Sequence, residues 1–267
     1  MKRCIKIAGC IWLIAVLISN CKTAPEPSFV QVKNGQFLLH DSAYYFMGTN
    51  YWYGGILGLS PEGKERMIKE LDFLKANHIN ILRVMAAAEG KGPIHGKMTA
   101  EPAFQSAPGV FHDELLNGLD FLLSEMAKRD MKAVLFLSNN WEWSGGFLQY
   151  LNWAGILPEN IMRSPLTWDE HRDWVSKFYQ SDSCKNMYSR QVERIVTRTN
   201  TITGKKYRED PAIFSWQLAN EPRPMRPSAL PEFIQWISDV SARIKQLDPN
   251  HLVSTGCEGD IAVEGMQ

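Results

Sequence analysis

From Phe29 the chain alternates apolar and polar residues, Phe29-Val-Gln-Val-Lys-Asn-Gly-Gln-Phe37, around Asn34-Gly35, a pair suited to a two-residue hairpin turn. The pattern predicts a hairpin capping one end of a larger domain. Five apolar runs of strand length follow, at Tyr45 to Gly48, Ile79 to Val84, Lys132 to Leu137, Ile213 to Leu218 and Leu252 to Thr255. Between them apolar residues recur at helical spacing. Met67, Ile68, Leu71 and Leu74 do so within Lys64 to Ala76, and Leu115, Leu119, Leu122 and Met126 within Leu115 to Lys128. A third stripe, Phe233, Ile237, Val240, Ile244 and Leu247, ends at Asp248-Pro249.

Strands alternating with helices predict a parallel sheet, because parallel neighbours need a crossover and a helix supplies it. An open nucleotide-binding sheet would place a glycine-rich turn after its first strand. Here Asn50-Tyr51-Trp52-Tyr53 fills that turn, and Gly54-Gly55-Ile-Leu-Gly58 does not match G-x-G-x-x-G. The predicted fold class is therefore α/β, a (β/α)8 TIM barrel with about its first five strand-helix units present and its functional residues at the C-terminal strand ends. Ser138 to Ser181 reads as a long functional loop holding Trp141, Trp143, Trp153, Trp168 and Trp174. Trp153, Trp168 and Trp174 are expected to pack that loop onto the barrel, while Trp141 and Trp143 lie nearer the strand end.

Composition adds a compartment. The chain is 45% apolar and 11% aromatic, enough for one large core. Residues 1–20 differ from the rest: Lys2, Arg3 and Lys6 precede an apolar run, Ile7 to Ile18, too short for an ordinary membrane span. Leu17-Ile18-Ser19-Asn20-Cys21 resembles a bacterial lipoprotein cleavage site, although Asn20 departs from the usual small residue. That resemblance implies a lipid anchor on Cys21, attachment to a membrane at the cell envelope, and a tether over residues 21–28 before the catalytic domain at 29–267. An ordinary signal peptide or an uncleaved anchor is the alternative. Removing residues 1–20 takes away three basic and no acidic residues, so formal charge moves from 29 − 29 = 0 to 26 − 29 = −3, which argues against nucleic acid as a partner. Cys184 and Cys257 remain for the mature domain in an oxidising compartment, and their spacing leaves pairing open. The six histidines show no local metal-ligand spacing, so no metal and no cofactor are expected.

The segment with most chemistry is Asp210-Pro-Ala-Ile-Phe-Ser-Trp-Gln-Leu-Ala-Asn220-Glu221-Pro222-Arg223, an apolar strand delivering a polar pair at its C-terminal end. Pro222 predicts extended backbone at Glu221, which would fix the side chain's direction. A partly desolvated carboxyl can stay protonated near neutral pH and act as a general acid, and Asn220 beside it can bind a sugar hydroxyl.

Asn220-Glu221-Pro222 ending the fourth strand resembles the acid/base motif of the retaining glycosidases built on (β/α)8 barrels. With Gly48-Thr49-Asn50-Tyr51-Trp52, Leu82-Arg83-Val84 and Asn139-Asn140-Trp141 at the preceding strand ends, the chain is similar to the endo-β-1,4-mannanases of glycoside hydrolase family 5. The resemblance implies cleavage of β-1,4-mannosidic bonds in mannans by double displacement, with Glu221 as acid/base and Asn220 at its side. It assigns Arg83 to orienting the nucleophile and Trp52, or Tyr51, to stacking on a sugar. Asn140, Trp141 and Trp143 would line the substrate, Arg223 would contact it on the leaving-group side, and Glu258 would correspond to a polar substrate-binding residue of the fifth strand. The nucleophile of this clan ends the seventh strand, and only five are countable. The expectation is therefore a C-terminally truncated chain, inactive by itself and monomeric, whose nucleophile lies beyond Gln267. A β-1,4-glucanase of the same family, or a non-catalytic glycan-binding surface lipoprotein, are the alternative readings.

Overall fold

The structure, a computed structural model, describes residues 28–258; the expected leader, the Cys21 anchor and the tether up to its last residue, Ser28, fall outside the described residues. It opens with β1 (Gln31–Lys33), β2 (Gln36–Leu39) and β3 (Ser42–Ala43), a small antiparallel sheet. Asn34 and Gly35 both take positive φ, 54° and 74°, as a two-residue turn with the twist of its strands requires. The main body follows as β4 (Gly48–Asn50), α1 (Gly54–Leu57), α2 (Pro61–Ala76), β5 (Ile81–Met85), the hairpin β6 (Gln105–Ala107) and β7 (Val110–Phe111), α3 (Asp113–Lys128) and β8 (Lys132–Phe136). Next come α4 (Gly146–Trp153), α5 (Glu159–Arg163), α6 (Trp168–Ser176), α7 (Asp182–Val196), β9 (Ile213–Gln217), α8 (Leu230–Leu247) and β10 (Leu252–Ser254).

β4, β5, β8, β9 and β10 form one parallel sheet in chain order, the first five strands of a barrel. Met85, Phe136, Gln217 and Ser254 stand level across its C-terminal rim. The hairpin closes the opposite end, as expected: Val30 packs with Ile81 and Phe214, and Phe37 meets the Phe214 ring at 5.3 Å. The first barrel strand is displaced from its predicted place, starting at Gly48. Tyr45 and Phe46 stay outside the ladder, with Phe46 drawn to the lower rim 5.6 Å from Phe214, and Met47 joins it only through its carbonyl, which accepts the Ile81 N–H at 3.2 Å. Helix starts follow local chemistry. Ser60 accepts the Gly63 N–H ahead of Pro61, Ser181 accepts that of Cys184, and Thr167 and Glu170 cap α6 reciprocally.

The segment 138–181 is not a structureless loop, as the sequence suggested, but carries α4, α5 and α6. α4 escapes a periodicity search because Phe147, Leu148, Tyr150 and Leu151 are all buried, giving it no polar stripe; α5 is a little over one turn. Its root is fixed by Glu89, which leaves β5 and lies wholly buried. One carboxylate oxygen accepts hydrogen bonds from Ser138 (3.1 Å), Tyr150 (3.0 Å) and Gln191 (2.6 Å), and the other accepts the Gly146 N–H at 3.0 Å. Gly146 has φ 60°, and a Cβ there would stand 2.2 Å from the Asn139 carbonyl oxygen, so the approach needs glycine.

Burial pushes the Glu89 carboxyl up to about 7 from an ordinary 4.5, against the pull of its four donors. The folded state then keeps a proton that the unfolded chain has lost between these values, so this group's contribution to stability declines as pH rises through that window. At about 1.4 kcal/mol per unit the loss is roughly 3 kcal/mol. Denaturant titrations of Glu89→Gln, which cannot ionise, are expected to show that part of the slope removed. They should also show a cost of about 1–3 kcal/mol at pH 5 from an amide donor set among donors.

Candidate active site

Glu221 sits just past β9, where the sheet continues in irregular form. The Asn220 N–H donates to the Ser138 carbonyl (2.8 Å), Asn140 N–H to that of Asn220 (3.0 Å), and Glu221 N–H to that of Gly256 (3.0 Å). The expectation of extended backbone at Glu221 is corrected: its φ is 53°, in the left-handed region. The strands on either side, rather than Pro222, hold that strained conformation, of the kind that collects at functional sites. Gly256, at φ 90°, supplies that carbonyl, and the position needs glycine because a Cβ there would lie 2.0 Å from the Ala219 oxygen.

The Glu221 carboxylate accepts a hydrogen bond from the Trp141 indole Nε1 at 2.5 Å. Burial raises its pKa, the Trp141 bond lowers it, the neighbouring Glu258 carboxylate raises it and Arg223 lowers it; the outcome is a carboxyl held above its usual range. Arg223 pairs with Glu258 and lies over the Trp141 ring, 5.3 Å from its centre. Arg83 is half-buried over Phe136 at 4.7 Å, with Nε donated to Gln217 at 2.6 Å. Its own pKa is lowered by burial and partly restored by the charge of Glu221, which places the two groups in one electrostatic field.

Asn220 is oriented by Asn139, whose Oδ1 accepts from Asn220 Nδ2 at 2.9 Å and from the Trp141 N–H at 3.0 Å. Asn139 was quoted in the sequence only as part of a motif, and its positioning role is legible only in three dimensions. Trp52 is 40% exposed and meets Trp143 edge-on at 5.6 Å. Both line a shallow depression with Met98 and Thr99. One of the expected substrate contacts is placed elsewhere: Tyr51 is buried among the helices, its hydroxyl donated to Glu70 at 2.6 Å. Asn140 stays at the site, its N–H on the Asn220 carbonyl, but is fully buried with its side-chain amide unpaired. Conversely Trp168, expected to pack inward, is 46% exposed and stacks on Trp141 at 5.9 Å. Its position as the first residue of a capped helix is the local signal that could have found it.

Among the described residues no second carboxylate stands free beside Glu221. Glu89 is buried below, Glu142 is held by Lys97 at 2.5 Å and Glu258 by Arg223. Cys184 and Cys257 are separate thiols.

A carboxyl held above its usual range, an amide and exposed indoles at the C-terminal ends of parallel strands are the equipment of a barrel-type glycosidase. Residues 27–267 match the family described as GH family 5 beta-mannosidase-like, and the chain belongs to that family. It is 31% identical over 231 residues to mannan endo-1,4-beta-mannosidase 1 of Oryza sativa subsp. japonica, covering 86% of this chain and 49% of that protein. Among solved structures it superposes on the family 5 mannosidase from Rhizomucor miehei with TM-score 0.78 at 33% identity, covering 91% of this chain and 59% of that one. A variant of that mannosidase is known in complex with mannosyl-fructose (TM-score 0.75, 33% identity, 89% and 57% covered). The endo-1,4-beta-mannanase of the same organism matches with TM-score 0.68 at 26% identity, covering 87% and 61%. The chain spans about half the length of the curated relatives it matches.

The electrostatics of Glu221 give a titration with a definite sign. In carbon-13 NMR of its carboxyl, Glu258→Gln is expected to lower the midpoint by removing a neighbouring negative charge, and Trp141→Phe to raise it by removing a donor to the charged form. Shifts in the opposite senses would contradict this account.

Proposed function

We propose that this chain carries the acid/base half of a retaining, endo-acting β-1,4-mannanase. The observation that carries the reading is Glu221 itself, a carboxyl kept above its usual range by burial and by Glu258, and aimed by Trp141 at the C-terminal rim. Glu221 protonates the departing glycosidic oxygen, then removes a proton from the water that releases the sugar. Asn220, steered by Asn139, holds the sugar 2-hydroxyl. Trp52 and Trp143 offer rings for stacking, and Arg223 binds hydroxyls on the leaving-group side. The nucleophile is a second carboxylate supplied by the part of the barrel that these residues do not span, with Arg83 as its orienting partner. Family membership and the relatives' printed activities support mannan over β-1,4-glucan as substrate, and either over a purely binding role.

An exo-acting mannosidase is the second reading. It is favoured by the family description and by the closer superposition on the Rhizomucor mannosidase than on its mannanase. Product analysis on mannohexaose separates the two: mixed internal fragments support the endo reading, stepwise release of mannose the exo one.

In the intact protein, Glu221→Gln is expected to reduce kcat on mannan by about 10²–10⁴-fold, the usual worth of a general acid. A dinitrophenyl β-mannoside, whose leaving group needs no proton, should suffer much less in the bond-breaking step. Equal loss of kcat/KM on both substrates would remove Glu221 from the acid role.

A further inference from the structure

Behind Trp141 lies a pocket of about 350 Å³ that the glycosidase reading does not use, lined by His95, Lys97, Trp141, Glu142, Trp168 and His171 among others. His95 and His171 come from different segments, His95 after β5 and His171 within α6, and their rings meet edge to face at 5.4 Å. They are only 8% and 5% exposed, and the Nε2 atom of each is buried without a hydrogen-bond partner. One ligand atom from each histidine and one carboxylate oxygen of Glu142 lie within 4.8 Å of one another. Burying two ring nitrogens unpaired is costly unless something takes their lone pairs.

We propose that His95, Glu142 and His171 form a binding site for a divalent transition-metal ion of the zinc class. Two imidazoles and one carboxylate suit zinc, cobalt or nickel and disfavour magnesium and calcium, which take oxygen donors. Metal–ligand bonds of about 2.0–2.2 Å put tetrahedral ligand atoms about 3.3 Å apart, so the three groups close by at most about 1.5 Å, within reach of side-chain rotation. Water takes the fourth position. The rival cation is Lys97, whose Nζ holds Glu142 Oε1 at 2.5 Å. Its side chain is 71% exposed and can leave for solvent, so it competes with the metal for Glu142. The site adjoins Glu221 through one residue: Trp141 stacks on His171 at 5.7 Å and donates its indole N–H to Glu221. Local spacing in the sequence concealed the triad because its members lie far apart along the chain.

The test uses the full chain, freed of metal by a chelator and titrated with Co²⁺ under visible absorption and with Zn²⁺ in a calorimeter. One equivalent is expected, with the d–d bands of a tetrahedral ion. His95→Gln and His171→Gln should each weaken binding at least tenfold, and Lys97→Met should tighten it several-fold. Absence of the bands, or bands that survive both histidine substitutions, overturns the proposal. If the histidine variants lose their circular dichroism, Lys97→Met decides alone, since it removes only an exposed ammonium: tighter binding supports the site and unchanged affinity overturns it.

Discussion

The hydrogen bonds converging on Glu89 are the constraint on which the upper barrel depends. Its two oxygens gather donors from the end of β8, from the start and middle of α4, and from α7, so one buried group sets where four segments meet. Ser138 then lies where its carbonyl receives the Asn220 N–H, and Asn139, the next residue, orients both the Asn220 amide and the Trp141 backbone. Trp141 in turn reaches Glu221. Each link is an ordinary hydrogen bond, of roughly 1 kcal/mol in net stability, but none has a geometric substitute once its neighbour is placed.

The surroundings of Glu221 balance opposing influences. Burial and Glu258 favour the protonated acid, while Trp141 and Arg223 favour the carboxylate. Arg223 also pairs with Glu258, which tempers the negative charge beside Glu221. In the proposed acid/base role, a group that gives a proton and then takes one back gains from such a balance, since either extreme would stall one half of the cycle.

Much of this was legible in the sequence. Five strand-length runs and three helical stripes gave the parallel sheet and its order. Asn34-Gly35 gave the hairpin, and the polar pair ending an apolar strand marked Glu221. What escaped has physical causes. α4 is buried on nearly every side and so shows no stripe; Tyr45 and Phe46 look like a strand because aromatic rings suit a sheet, yet here Phe46 covers the lower rim and Tyr45 faces solvent. Tyr51 was read as a sugar platform from its residue type, but its hydroxyl finds Glu70 among the helices. At Glu221 the rule for residues preceding proline was overridden by the Gly256 and Ser138 carbonyls, tertiary partners that no local window contains.

The insertion of α4 to α6 is anchored by buried groups at its root and by surface ion pairs at its far end, where Arg226 holds Asp169 and Asp173. At its root Gly146 and Tyr150 are bound to Glu89, whereas Trp168 faces solvent beyond Trp141. Inheritance should therefore act on it unevenly. On the proposed reading, changes near the root disturb the acid directly, while changes at the exposed face of Trp168 reach it only through Trp141. Such a gradient would let the rim vary more freely than the carboxyl it surrounds.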